Sequence, residues 1–257
     1  MNKSRLIILR FSLGFSIFVV IYLIGVLILP FVYALYISPT IPPTSLGTQF
    51  VKNTIVGKAK LKIAVIGDST ALGQGSDSQL NSFSYQYTNR YLSQKYSQIS
   101  YVNFAVSGNK AQDVIENQLD KLTLLKPDLI FVAMGANDVT GGTDKNIFKY
   151  EISDIVDFLK KLGTKVIWLS IPDFITSQLL LPPLNWYLSN TAKEFDNIIK
   201  NSLKTSDFVY VDVFDSTRQA FLNQPGKMFS VDKYHPSVDG YGLWVEQINK
   251  TLPVNFL

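Results

Sequence analysis

From Leu61 to the end of the chain, short apolar runs alternate with longer amphipathic stretches. KIAVIG (62–67), ISYVNFAV (99–106), LIFVAMG (129–135), KVIWLS (165–170) and FVYVDVF (208–214) are near-continuously apolar rather than alternating. That pattern predicts strands covered on both faces of a sheet. Between them, helical spacing predicts helices near 83–96, 110–125, 145–162 and 190–204. A last helix is predicted from about Ser237 to Lys250, where Val238, Tyr241, Val245 and Ile248 share one face. Strands joined by helical crossovers imply an α/β fold, a three-layer α/β/α sandwich on a five-stranded, mostly parallel sheet. In such sheets ligands bind outside the carboxyl ends of the strands.

A different pattern precedes this domain. Phe11 to Leu29 reads FSLGFSIFVVIYLIGVLIL, 19 residues without a charge. About 20 apolar residues cross a bilayer as a helix, so one N-terminal transmembrane helix is expected. Lys3, Arg5 and Arg10 lie on its N-terminal side. Basic flanks stay in the cytoplasm, which places the domain outside. Tyr33 and Tyr36 suit the far interface. A cleaved signal peptide would show an apolar region of about 7–15 residues and a small-x-small cleavage site. This run is longer, and FVYALYISPT offers no such site. The expected organisation is a membrane anchor over 1–37, a linker over 38–60 and a folded domain over 61–257. Pro39, Pro42 and Pro43 make the linker an extended spacer.

Composition narrows the chemistry. Of 257 residues, 47% are hydrophobic and 17% charged, with a net charge of +4. Removing the three charges of Lys3, Arg5 and Arg10 from +4 leaves +1 for the remainder. The basic pI of 9.0 therefore comes from the flank, and no basic stripe suggests a nucleic-acid partner. There is no cysteine, which excludes disulfides, thiolate metal sites and a cysteine nucleophile. His235 is the single histidine. A zinc site is not expected without those ligands, and no cofactor is implied.

Four short motifs fall at predicted strand ends or before the last helix. Gly67-Asp68-Ser69-Thr70 follows the first predicted strand. A nucleophilic serine needs that exposure and a free backbone N–H beside it; a turn with Asp68 or Ser69 capping a helix is the plain alternative. Ala71 stands where the nucleophile elbow of the α/β-hydrolases has glycine. Ser107-Gly108-Asn109 follows the second strand, where a glycine lets its N–H approach a ligand. Gly135-Ala136-Asn137-Asp138 follows the third, and an Asn amide can donate to a developing oxyanion, or form an Asx turn. Asp232-Lys233-Tyr234-His235-Pro236 precedes the last helix. A spacing of three can bring the Asp232 carboxylate under the His235 imidazole; equally, Asp232 can cap the helix that follows.

Taken in order, these four blocks resemble the SGNH hydrolases, the GDSL-type lipase/esterase superfamily. The resemblance covers residues 61–251 and matches Ser69, Gly108, Asn137 and His235, with Asp232 in the Asp-x-x-His block. The closing run HPSVDGYGLW is also similar. The resemblance implies a flavodoxin-like sandwich and acyl transfer to water. Ser69 would attack an ester carbonyl, with His235 as base and Asp232 orienting it. The Ser69 and Gly108 amides and the Asn137 side chain would hold the oxyanion. Asp68 and Asp138 are family-typical and are read as turn scaffolding.

The expected function is an outward-facing, membrane-anchored serine ester hydrolase, with a small-molecule, lipid or acylated-glycan ester as substrate. Transfer of an acyl group to a cell-surface glycan uses the same residues and stays open. A non-catalytic glycan-binding domain is a third class, which would be expected to lack Ser69, Asn137 or His235. The stretch LLLPPLNWYL follows the fourth strand and borders the site. It is either an apolar lip for an acyl chain or a bilayer, or a loop folded onto the core; Trp186 and Tyr187 could stack on a sugar.

Overall fold

The computed structural model describes residues 12–28, 49–52, 60–253 and 256. Residues 12–28 form helix α1. The domain then runs β1 (Gln49–Lys52), β2 (Lys60–Gly67), α2 (Ser69–Leu72), α3 (Phe83–Tyr87), β3 (Gln98–Asn103), α4 (Ala111–Asn117), α5 (Leu119–Leu125), β4 (Leu129–Ala133) and α6 (Ala136–Thr140). It continues α7 (Lys145–Leu162), β5 (Lys165–Leu169), α8 (Leu184–Leu203), β6 (Val209–Val211), α9 (Phe214–Asn223), α10 (Pro225–Met228) and α11 (Val238–Thr251).

The sheet order is β1-β3-β2-β4-β5-β6. The five strands from β2 to β6 pair in parallel, as the apolar runs predict. Their chain order across the sheet is that of flavodoxin-like folds, with the reversal of direction beside β2. The apolar runs are buried because helices cover both faces. On one face Ile130, Val132 and Trp168 pack with Phe148, Ile152 and Phe195 of α7 and α8. On the other, Ile63, Val65, Phe131 and Ile167 pack with Phe83, Tyr241 and Trp244 of α3 and α11.

Three differences from the sequence reading have local causes. The edge strand β1 pairs antiparallel with β3 inside the stretch expected to be a spacer; four residues, QFVK, are too few to show a period. The helix expected over 110–125 is interrupted at Gln118, whose backbone leaves helical geometry (φ −122°, ψ −36°). Its buried side chain bonds reciprocally to Gly67, donating to O at 2.9 Å and accepting from N at 2.8 Å. The α9 helix carries few apolar positions, Phe214 and Phe221 among the buried ones, and gives a weak stripe.

The transmembrane expectation is not met by the described residues. No helix among them is long and apolar enough to cross a membrane. Residues 1–11 and 29–48, which include both ends of the apolar run as well as Pro39, Pro42 and Pro43, lie outside the described residues. Leu13, Phe15, Phe18, Ile21 and Leu27 of α1 are exposed. Tyr22 Oη donates to Pro182 O at 2.6 Å.

Candidate active site

The reversal of chain direction beside β2 leaves a crevice at the carboxyl ends of β2, β3 and β4. The turn after β2 carries Ser69. Asp68 caps the one-turn helix α2, its Oδ1 accepting from Thr70 N at 2.9 Å and from Thr70 Oγ1 at 2.7 Å. Asp68 N in turn bonds to Ala133 O at the end of β4. The capping role weighed for Asp68 from the sequence is therefore present, and it aims the next side chain into the crevice.

His235 arrives from the other end of the chain. The loop between α10 and α11 folds back on itself through Ser230 N to His235 O and Ser237 N to Met228 O. His235 Nε2 lies 3.0 Å from Ser69 Oγ, across 166 positions of sequence. His235 Nδ1 lies 2.7 Å from Asp232 Oδ2. Asp232 Oδ1 accepts from Ser230 Oγ (2.6 Å), Tyr234 N (2.9 Å) and His235 N (2.9 Å). Asp232 is thus not the cap of α11; Ser237 takes that place, accepting from Gly240 N. All three residues are nearly closed off, at 7% exposure for Ser69, 8% for His235 and 1% for Asp232.

Electrostatics separate the carboxylates of the crevice. Burial pushes Asp232 up, but the hydrogen bond and charge of His235, with the Ser230 and Tyr234 bonds, outweigh it and hold Asp232 well below the usual carboxylate range. Asp68 is raised by burial, against the Thr70 hydrogen bonds and the charge of His235. Asp138 is pushed up to about 6 by burial, against bonds from Ala111 N and Thr143.

Asn137 follows Gly135 at the start of α6, lines the same pocket as Ser69 and His235, and donates from Nδ2 to Asn109 O at 3.1 Å. Gly108 sits in an exposed turn with φ +86°, where a Cβ would meet nothing within 4 Å. Glycine is therefore favoured there by backbone conformation rather than by space. Gly108 is not among the residues lining the pocket; its turn is joined to the site by the Asn137–Asn109 bond, by Val106 N to Gly67 O and by Ser107 Oγ donating to Gln74 Oε1. The residues of LLLPPLNWYL divide: Leu180 and Leu188 are buried in the core, while Leu181, Trp186 and Tyr187 are exposed.

Sequence reasoning missed several supports. Ser230 holds Asp232, and its signal is a serine two positions before the aspartate. Gly75, at φ +94°, lies so close that a Cβ would come within 2.7 Å of His235 Cβ. Gln118 braces Gly67 from a helix break. Asp173 and Arg218 pair at the pocket wall. No sequence spacing points to the last three. Among the described residues no cluster of histidine and carboxylate side chains suits a metal.

The fold and this crevice define a flavodoxin-like hydrolase scaffold with a serine at the β2 end. The chain belongs to the GDSL-like lipase/acylhydrolase family, whose model matches residues 65–243. It is similar to the GDSL-like esterase Rv1075c of Mycobacterium tuberculosis (strain ATCC 25618 / H37Rv), 25% identical over 183 residues, covering 70% of this chain and 58% of that protein. The chain thus spans under two thirds of the length of that relative. Among solved structures it resembles the lipase Lip_vut3 from a goat rumen metagenome (TM-score 0.59, 18% identity, 77% of this chain and 100% of that one). It also resembles Axe2, an acetylxylan esterase from Geobacillus stearothermophilus (TM-score 0.54, 19% identity, 78% and 97%). At these identities the structural likenesses carry the fold alone.

Proposed function

We propose that the protein is a serine ester hydrolase. The observation that carries the reading is the chain of hydrogen bonds from Asp232 through His235 to Ser69 at the mouth of a pocket. Ser69 Oγ attacks the ester carbonyl carbon while His235 Nε2 takes its proton. Asp232 holds the imidazole with Nδ1–H toward itself and stabilises the imidazolium that forms. The carbonyl oxygen becomes an oxyanion, which the Ser69 and Gly108 amides and Asn137 Nδ2 would bind. The intermediate collapses as His235 gives the proton to the leaving alkoxide. An acyl-Ser69 remains, and a water activated by His235 releases it as the acid.

Membership of a lipase and acylhydrolase family supports this reaction class. The test is hydrolysis of p-nitrophenyl acetate by the purified chain and by Ser69→Ala. Loss of turnover is expected; unchanged turnover in Ser69→Ala would remove the assignment.

The same proposal places the domain outside a membrane, with residues near 11–29 as its anchor. Support comes from the uncharged run, the basic residues before it and the exposed apolar side chains of α1. A spanning helix would carry Tyr22 away from Pro182, since a mid-helix residue lies inside the bilayer. Extraction settles this. An anchored chain stays with membranes through a carbonate wash and leaves with detergent; release by carbonate would reject anchoring. Protease digestion of spheroplasts that spares the domain would reject the outward orientation.

A further inference from the structure

Arg218 of α9 lines the same pocket as Ser69 and His235. Its guanidinium is held from two sides. Nε donates to Oδ2 of Asp173, and the guanidinium carbon lies 5.2 Å from the centre of the Phe214 ring, within cation–π range. Asp173 makes this a fixed arm. Its side chain is 1% exposed, and its other oxygen accepts from Ser189 Oγ and Ile175 N. Nη2 of Arg218 lies 3.9 Å from Asp215 Oδ1, beyond hydrogen-bond length. Among the described residues, Nε is the one guanidinium nitrogen with a hydrogen-bond partner. The Arg218 side chain is 36% exposed. A rigid fork of N–H donors therefore stands at the pocket wall with its outer bonds unused.

The surrounding charge decides what the fork can take. Lys193 lies 3.7 Å from Asp215, so two cations, Arg218 and Lys193, meet two carboxylates, Asp173 and Asp215. The local sum is zero. A full anion would give up its hydration for little net attraction. A neutral hydroxyl, ether or carbonyl oxygen needs only a directed donor. The neighbouring wall is aromatic, with Phe174 and Tyr234. Flat apolar faces beside directed donors suit a sugar-like ring, whose C–H face is apolar and whose rim is polar.

The geometry points to Arg218 as a substrate-binding residue that donates to a neutral oxygen of a hydroxyl-rich, sugar-like ester. This rests on the ester-hydrolase reading above. It adds a subsite to that reading and sets the class of substrate.

The test is Arg218→Lys in the full chain, because lysine still offers Asp173 a positive charge while removing the planar fork. An acetylated methyl glucoside and p-nitrophenyl acetate are compared as substrates. The expected result is a KM for the glucoside ester raised about 10- to 100-fold, at least about ten times the change seen for p-nitrophenyl acetate. Equal loss on both esters, or loss on neither, overturns the subsite. A larger loss on the anionic p-nitrophenyl hemisuccinate overturns the neutral ligand. A measurement on the unaltered protein covers the case in which the variant does not fold. Methyl glucoside should inhibit p-nitrophenyl acetate hydrolysis competitively at about 10 mM, a weak-ligand concentration; absence of inhibition at that concentration overturns the proposal. Failure of the reaction reading looks different: the unaltered chain would hydrolyse no ester, or Ser69→Ala would remain active.

Discussion

The two sides of the crevice are built to different standards. On one side, Asp232 receives four hydrogen bonds, from His235 Nδ1, Ser230 Oγ and the amides of Tyr234 and His235. Backbone bonds close the loop that carries them. On the other side, Asn137 makes one bond from Nδ2, to Asn109 O, and Gly108 lies exposed in its turn. The first side holds the groups whose positions must be correct before any substrate arrives. The second holds donors whose partner, an oxyanion, exists only during reaction. The contrast explains why a base and its orienting carboxylate are locked by the protein's own bonds, while the donors facing a transient charge keep spare hydrogens.

The largest break in this comparison comes from removing the braced side's reacting group. His235→Gln should abolish measurable hydrolysis of p-nitrophenyl acetate, because the chain has no second histidine to take the proton. In a comparable triad the loss is about 10⁶-fold in turnover. Thermal unfolding should show a folded protein, since His235 borders a pocket rather than filling a core. Retained activity would reject the assignment of the base, however the other residues are placed.

Asn137→Ala comes next. If it is one of three oxyanion donors, kcat falls about 10²–10³-fold while KM changes little. A change confined to KM would mean that Asn137 binds the ground state, and the looser side of the crevice would then be a binding surface. Ser230→Ala probes the braced side more gently. It removes two bonds to Asp232, one to the carboxylate and one from its backbone N, and leaves the carboxylate its bonds from His235 Nδ1 and the two amides; it should lower kcat about ten-fold or less, the scale of a residue acting through another. It should also raise the pKa of Asp232, whose low value depends in part on Ser230. A loss as large as that of Asn137→Ala would show that the brace, and not only the reacting groups, sets the rate.

Much of this crevice was legible from the chain because its residues stand at strand ends that apolar runs mark clearly. LIFVAMG places Asn137, and KIAVIG places Ser69, by the same rule that buries the strands. The Asp232–His235 contact was legible from a spacing of three. What was not legible depends on which helix faces which loop. Arg218 and Asp173 are 45 positions apart in sequence and meet because α9 packs beside the turn after β5. Gln118 reads as mid-helix until its bonds to Gly67 are seen. Gly75 reads as one more turn glycine, although its missing Cβ is what lets His235 approach. The short β1 carries no period at all.

The smallest expected effect concerns how the looser side is held. Asp138 bridges its two turns, accepting from Ala111 N and from Thr143 Oγ1, both at 3.1 Å. Burial raises its pKa from 3.8 to about 6. The folded protein therefore keeps a proton that the unfolded chain releases between pH 4 and 6. Stability from this group is gained as pH falls from 7 through 6 and levels off below about 4, a difference on the order of 3 kcal/mol. Asp138→Asn removes that slope. Its carbonyl can still accept from Ala111 N, and its amide can donate to Thr143 Oγ1. Between pH 7 and pH 5 the unaltered protein should gain Tm relative to the variant. Asp196, also raised to about 6, supplies a parallel slope in both proteins and cancels in the difference. A constant Tm difference across that range would mean that Asp138 is ionised throughout.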